Sequence, residues 1–391
     1  NGRMVPLRRA RGYVPAKIPV EDRGETAVLA TGGDLKSSVC LLSANEATVS
    51  EHLGELSNAK ALRHFMSAID KMKDLLSLHP QVVAYDLHPA YGSSKHGKSL
   101  SLRETAVQHH HAHIVSCMAD NGLTGSVIGV ACDGTGYGTD GAIWGCEIMQ
   151  CDEVDFQRMG HLSYYPLPGG DFGAKQLWRP ALSLLRLTYG TGWKEVVPKE
   201  ILKLFAQEEA LSLTEQRLDS HTSKVPMTSS LGRLFDGVAY LLGLCQFNHH
   251  EAQAAMILED LASTVSEAEP LSYVTHESDK GFLLDIRPMI KEVVTAVSEG
   301  KEKAYVARAF HEAIVAMLVE SALRASEETE LDRVVLSGGC FANRILTERT
   351  ARLLEAWGRD VFVHREVPTG DGGLSLGQAV CAAARVARGL V

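Results

Sequence analysis

The chain has 391 residues, enough for two or three lobes at roughly 150 residues each. An apolar fraction of 45% and a charged fraction of 22% exclude a disordered, collagen-like or low-complexity chain. Lys plus Arg (39) falls below Asp plus Glu (48), so the net charge of −9 gives no global attraction for nucleic acid. No apolar run of about 18 residues points to a membrane span.

The eight cysteines form no Cys-x-x-Cys pair, as expected of reduced, mostly buried thiols in a cytoplasmic protein. Residues 1–15 start at Asn1 and include Leu7-Arg8-Arg9-Ala10-Arg11-Gly12-Tyr13-Val14-Pro15, which reads as a junction from a missing upstream domain. Short apolar runs at Thr26–Ala30 and Ser38–Leu42, split by Thr31-Gly32-Gly33-Asp34-Leu35-Lys36, predict a hairpin. The stripe Leu62, Phe65, Met66, Ile69, Met72, Leu75 and Leu76 predicts an amphipathic helix within Leu56–Leu78. Gln81–Asp86 follows as a strand, and His109–Met118 as a helix stopped by Asn121-Gly122.

A second cycle runs from strand Ser126–Cys132 through a Gly-rich turn at Asp133–Gly141 to strand Ala142–Cys151. Helices are expected at Pro180–Thr188, Lys199–Glu208, Leu231–Leu244, Glu251–Ser266 and Lys303–Ala325, with a polar surface loop at Thr214–Ser230. Strand Arg333–Leu336 leads through Ser337-Gly338-Gly339 into helix Ala342–Trp357, and strand Val361–His364 precedes helix Gly373–Arg388. The rhythm suggests two α/β lobes, each a sheet covered by helices, with a nucleotide between them. Residues 16–125 would form the first lobe and 126–391 the second, with the last helix free to return to the first.

Gln108-His109-His110-His111-Ala112-His113 carries the clearest chemistry. On a helix, His109 and His113 share one face at i and i+4 and can chelate one metal ion, leaving positions for carboxylates. Fe, Zn, Mn or Ni suits imidazole, and oxygen ligands favour the harder ions, Mg included. A solvated polar face or hydrogen-bonded core histidines are the competing readings. Asp133-Gly134-Thr135-Gly136-Tyr137-Gly138 can turn backbone N–H groups around phosphate oxygens, and Asp133 can reach a cation; the other reading is a tight hairpin that requires positive φ. Gly338-Gly339 before a helix allows close backbone approach to a ligand. Asp371 reads first as a helix N-cap and only second as a metal ligand. Ser229–Asp236 opens a helix with polar groups able to hold a ribose or base.

Taken together, Leu7–Pro15, Asp86-Leu87-His88-Pro89, Gln108–His113, Asp133–Gly145, Pro168-Gly169-Gly170-Asp171, Thr228–Asp236, Leu336–Asn343 and Asp371–Gln378 span nearly the whole chain in order. In these stretches the sequence resembles the C-terminal part of the hydrogenase maturation carbamoyltransferases, the HypF family. That resemblance implies a two-lobed actin-like ATPase fold of class α/β, with nucleotide and metal in the cleft between lobes. It implies metal ligands at His109, His113, Asp133 and Asp371, of which His109, His113 and Asp133 serve catalysis. It implies nucleotide contacts at Lys36, Gly134, Thr135, Gly136, Gly232, Asp236, Gly338, Gly339 and Asn343. The implied cofactors are a divalent metal and ATP or carbamoyl-adenylate. The implied acceptor is the C-terminal cysteine of the partner HypE, and the adenylate would come from an upstream domain. The sister families, tRNA threonylcarbamoyl-transfer proteins and small-molecule O-carbamoyltransferases, share the His-x-x-x-His and form the alternatives. Cys146 and Ala252 stand where the family usually has glycine, and Lys175-Gln176-Leu177 departs before Trp178-Arg179.

Overall fold

The computed structural model describes residues 6–10, 12–170, 172–206, 208–220, 224–279 and 281–391; Asn1, Arg11 and Asp171, on which parts of the sequence analysis rest, lie outside the described residues. Six strands build the first sheet: β1 (Lys17–Pro19), β2 (Val28–Ala30), β3 (Cys40–Ser43), β4 (Glu46–Val49), β5 (Val82–Asp86) and β6 (Arg103–Val107), in the order β1-β4-β3-β2-β5-β6. The second holds β7 (Val127–Tyr137), β8 (Ile143–Cys151), β9 (Phe156–Leu162), the short side pair β10 (Tyr165–Pro166) and β11 (Met227–Thr228), then β12 (Val274–Ser278), β13 (Gly281–Asp285), β14 (Arg333–Ser337) and β15 (Asp360–Phe362). Its main path is β12-β13-β9-β8-β7-β14-β15.

One plan is used twice. In β4-β3-β2-β5-β6 and again in β9-β8-β7-β14-β15, two antiparallel pairings are followed by two parallel ones. This duplicated α/β plan is the two-lobed actin-like ATPase fold.

Alternate side chains of each strand leave on opposite faces and enter different cores. Leu29, Val83 and Tyr85 pack outward on Phe65, Ile69 and Met72 of helix Ala59–Leu76. Val28, Ala30, Val82 and Ala84 point inward, onto Ile114, Val115 and Leu376. Those residues belong to helices His109–Asp120 and Leu374–Ala387, which pack on each other between the two sheets. On the second sheet Ala131 and Val335 join this middle layer, while Val130, Cys132, Val334 and Leu336 face a third core with helices Leu231–Leu241 and Lys303–Thr329. Each large side chain so buried contributes about 1.5–3 kcal/mol, so the layering is strongly specified. Gly129 lets helix His109–Asp120 lie directly on β7, because a Cβ there would stand 2.7 Å from Ile114 Cγ1.

Most expected elements form with shifted ends. The amphipathic helix starts at Ala59 because Asn58 Oδ1 accepts hydrogen bonds from the Lys60 and Ala61 N–H groups, both 3.0 Å. Strand β7 continues to Tyr137, through what the glycine pattern suggests is turn. Thr214–Ser230 is not a loop throughout: helix Leu211–Asp219 and β11 occupy much of it, with 221–223 outside the described residues. The helix forms because Leu211 and Leu218 pack on the core and Glu215 accepts from Trp193 Nε1 at 2.9 Å, anchors that the polar majority of the segment conceals. Among the described residues no helix is long and apolar enough to cross a membrane.

Candidate metal and nucleotide site

Both sheets deliver their parallel strands to the same end of the molecule, where ligands of open α/β sheets bind. Asp86 ends β5 and Asp133 lies on β7. The histidine helix opens immediately after β6, capped by Gln108, whose Oε1 accepts from the His111 N–H at 2.9 Å. The Gln108 Nε2 also donates to the Tyr137 carbonyl (3.1 Å), tying the helix to the Gly-rich segment.

His109, His113, Asp133 and Asp371 converge, each offering a ligand atom, with these atoms all within 4.8 Å of one another and all four residues buried. His109 Nε2 is 3.3 Å from Asp133 Oδ2 and 3.6 Å from Asp371 Oδ1; His113 Nε2 is 3.6 and 3.5 Å from the same two atoms. These separations are long for hydrogen bonds. These four separations are close to the roughly 3.3–3.6 Å that metal-ligand bonds of about 2.0–2.2 Å would give, while the donor set as a whole spreads over as much as 4.8 Å. His113 Nε2 is buried without a hydrogen-bond partner. An orphaned imidazole nitrogen facing two carboxylates fits a cation, so the residues present suit a divalent metal.

The surroundings orient these groups. His109 Nδ1 lies 2.7 Å from Asp86 Oδ2, and Asp86 Oδ1 accepts from the His88 N–H at 2.8 Å. With Nδ1–H donated to Asp86, Nε2 keeps its lone pair for the cluster. Asp133 Oδ1 accepts from the Gly339 N–H (3.0 Å), leaving Oδ2 for the cluster. Asp371 caps nothing: the turn it opens and the closing helix both lack a side-chain cap. Its Oδ1 faces both imidazoles of the cluster.

Burial alone would push the His109 pKa down, but Asp86, Asp133 and Asp371 outweigh it and hold it well above its usual value. Burial likewise works against ionised Asp133 and Asp371, and the two imidazoles reverse it, keeping both carboxylates charged.

The glycines proposed for the nucleotide divide into two groups. Gly134, Gly232 and Gly339 surround Asp133: a Cβ on Gly232 would stand 2.9 Å from Gly134 Cα, and one on Gly339 2.7 Å from Asp133 Oδ1. Gly338, at φ +101°, backs onto the Cys132 carbonyl. Gly136 faces elsewhere, toward the histidines, where a Cβ would meet His110 Cε1 at 2.4 Å and His109 Cδ2 at 2.8 Å. Thr135 is half-buried beside it. Lys36 comes across from the first lobe, its Nζ 2.9 Å from Glu251 Oε1. Asp236 is 1% exposed, its Oδ1 accepting from Asn248 Nδ2 at 3.0 Å and its Oδ2 2.7 Å from Arg233 Nε. Asn343 caps helix Arg344–Ala356 and pairs with His311 Nε2 at 3.0 Å. These last two side chains serve the protein's own architecture around the cleft.

Sequence reasoning gave Asp86 no role, and included Arg233 only within Ser229–Asp236 as a polar group able to hold a ribose or base. The partner of Asp86 is 23 residues away, a separation without a local pattern, and Arg233 gains meaning only from the hairpin beside it. Of the departures, Cys146 pairs with Cys132 in the β7–β8 register and faces the far core, whereas Ala252 adopts φ +58°, a conformation that favours glycine.

Residues 23–120 match the family described as HypF Kae1-like domain, and residues 129–378 match the carbamoyltransferase, Kae1-like domain, second subdomain. Carbamoyltransferase HypF2 of Cupriavidus necator is 36% identical over 401 aligned residues, covering 95% of this chain and 48% of that protein. Carbamoyltransferase HypF of Synechocystis is 35% identical, covering 96% and 50%. A HypF homolog of Cupriavidus necator is 36% identical with 91% of each covered. Full-length HypF in a phosphate- and nucleotide-bound form superposes with a TM-score of 0.92 at 38% identity, over 98% of this chain and 50% of that one. HypF of T. kodakarensis gives 0.89 at 30%, over 100% and 51%. The chain thus spans about half the length of the first curated relatives, and the cluster of two histidines and two aspartates lies within the matched regions. By sequence, fold and coverage, the chain belongs to the HypF carbamoyltransferase family, of which it comprises the Kae1-like part.

Proposed function

We propose that this chain transfers the carbamoyl group of carbamoyl-adenylate to the C-terminal cysteine thiol of a HypE protein, in the synthesis of the cyanide ligand of nickel-iron hydrogenases. The observation that carries the reading is the convergence of His109, His113, Asp133 and Asp371 beside glycine-rich backbone, in a chain matched to HypF over nearly its full length. The thiolate sulfur forms a bond to the carbamoyl carbon, the bond from that carbon to the phosphate oxygen breaks, and AMP leaves with the electron pair. The leaving group is already activated, so positioning and stabilisation of developing charge are what the protein supplies.

His109, His113, Asp133 and Asp371 would hold the divalent ion, which when bound supplies Lewis-acid polarisation of a carbamoyl or phosphate oxygen. Asp86 keeps His109 in the tautomer that presents Nε2. Gly134 and Gly339 bring backbone close to the adenylate, and Lys36 offers a cation from the opposite lobe. We place the two lobes at residues 16–125 and 126–391, assign adenylate formation to an upstream domain, and locate the protein in the cytoplasm. All eight cysteines are free thiols, in keeping with a reducing compartment.

The test uses synthetic carbamoyl-adenylate and purified HypE. Intact mass spectrometry should show one carbamoyl group added to HypE and none to a Cys→Ala acceptor. Hydrolysis without HypE should be much slower than transfer with it, because water in the cleft lacks the positioning and nucleophilicity of the bound thiolate. Carbamoylation of tRNA or of a small hydroxylated metabolite in place of HypE would assign the chain to a sister activity.

A further inference from the structure

We infer that Arg233 binds the phosphoryl group of the nucleotide in the cleft, and that Asp236 aims it there. The inference rests on the adenine-nucleotide reading above and assigns a residue which that reading leaves out.

Helix Leu231–Leu241 approaches the Gly-rich segment so closely that a Cβ on Gly232 would stand 2.9 Å from Gly134 Cα. The next residue therefore overlies that segment, and Arg233 Nη2 lies 3.9 Å from the Cβ position of Gly134. Arg233 is 8% exposed, and only one edge of its guanidinium faces a carboxylate. Asp236 Oδ2 faces Nε at 2.7 Å. Among the described residues neither Nη group donates a hydrogen bond.

A guanidinium has five N–H donors; in Arg233 the Nη groups meet no acceptor among the described residues, and buried Nε is held by charge, 2.7 Å from Asp236 Oδ2 but outside hydrogen-bond geometry. The other buried arginines each give at least one Nη group to a backbone carbonyl. Arg9 donates from both Nη atoms, to the Glu366 and Tyr13 carbonyls at 2.7 Å each. Arg308 gives Nε to Glu312 and Nη1 to the Val265 carbonyl. Arg233 is built differently: its far edge points at glycine backbone, with no side chain to receive it.

Asp236 explains how that edge is held. Its Oδ1 accepts from Asn248 Nδ2 at 3.0 Å, and the same amide donates to the Ala174 carbonyl at 2.9 Å. Anchored behind the arginine, the carboxylate holds the Nε edge by charge and leaves the Nη fork facing forward. A planar fork meets a phosphoryl group through two parallel charge-assisted bonds. The position in the first turn of an 11-residue helix adds a favourable dipole for an anion. Asp133, the nearby carboxylate, is directed to the metal cluster and to Gly339, so it does not compete for the fork.

The experiment is calorimetric titration of the whole chain with AMP and, separately, with adenosine. Arg233→Gln should weaken AMP binding about 10–100-fold, the worth of charge-assisted hydrogen bonds, while adenosine affinity stays within about twofold of wild type. Arg233→Lys keeps the charge but not the fork, so it should fall between; it carries the same comparison if the Gln variant does not fold. Equal weakening of AMP and adenosine would make Arg233 a structural residue and overturn the inference. So would unchanged AMP affinity in either variant. A wild-type chain that bound neither ligand would instead overturn the nucleotide reading of the cleft, and the inference with it.

Discussion

Asp86 and His109 are joined at 2.7 Å in complete burial, one ending a strand of the first sheet and the other opening the helix that lies on the second. The carboxylate selects the imidazole tautomer. Asp86→Asn should therefore lower metal affinity about 10–100-fold, as losses of such supporting partners do, while the circular-dichroism spectrum stays unchanged. Competition with a fluorescent chelator measures this. Wild-type affinity in the variant would show that His109 is oriented by packing alone.

The ligands themselves should cost more. His109→Ala combined with His113→Ala should remove the ion, about one per wild-type chain, entirely. Elemental analysis after dialysis reads the result directly; equal metal in both proteins would refute the site.

Gly136 is expected to fail for a reason other than phosphate contact. A Cβ there would stand 2.4 Å from His110 and 2.8 Å from His109. Gly136→Val should thus disturb the histidine helix, destabilising the fold by about 1–3 kcal/mol, as overpacking does, and lowering metal content as well as nucleotide binding. A loss of nucleotide affinity with full metal occupancy and unchanged urea stability would restore the phosphate explanation.

Acid should weaken the protein through His311. Its Nδ1–H donates to the Ala307 carbonyl at 2.7 Å, its Nε2 meets the Asn343 amide, and burial pushes its pKa down to about 4. The unfolded chain takes up this proton near pH 6.5, before the folded one can. Stability from the neutral ring is therefore complete above about pH 6.5, declines as pH falls toward about 4, and changes no further below. The loss is about 3 kcal/mol at most. Urea titrations across this range should show that slope, and His311→Gln should remove about that much of it.

Ala252 offers a gain. At φ +58° an alanine is strained by about 1–2 kcal/mol, part of which glycine relieves at the expense of a looser unfolded chain. Ala252→Gly should stabilise the fold by about 0.5–1 kcal/mol in urea titration. A lower midpoint would show that the neighbouring contacts favour the methyl group.

What could be read from the sequence follows a physical divide. Period-two strands and the stripe of helix Ala59–Leu76 declare themselves locally, because each residue's face is set by its own neighbours. The four-residue spacing of His109 and His113 is equally local. Helix Gly92–Ser99 is different: it is polar, and the carboxylate of Asp34 receives its first N–H groups, from Gly92 at 2.8 Å and Ser93 at 2.9 Å. A cap supplied from 58 residues upstream leaves no trace in the helix's own pattern. Strand β6 is hidden for a similar reason, being paired on one side with β5 and exposed at Arg103 and Glu104. Asp371 needed the most help. Only the absence of a capping bond separates ligand from cap, and that is a property of coordinates.

The middle layer has a mechanical consequence. The helix bearing His109 and His113 rests on the second sheet, and Asp371 leads into the helix seated on the first; Asp133 belongs to the second sheet and Asp86 to the first. Any hinge rotation that widened the cleft would have to slide these two helices past each other. Because the ligand atoms straddle that sliding plane, such a movement would stretch the cage it crosses. The spacing of these four side chains and the opening of the cleft are thus geared together, with a pair of stacked helices as the transmission.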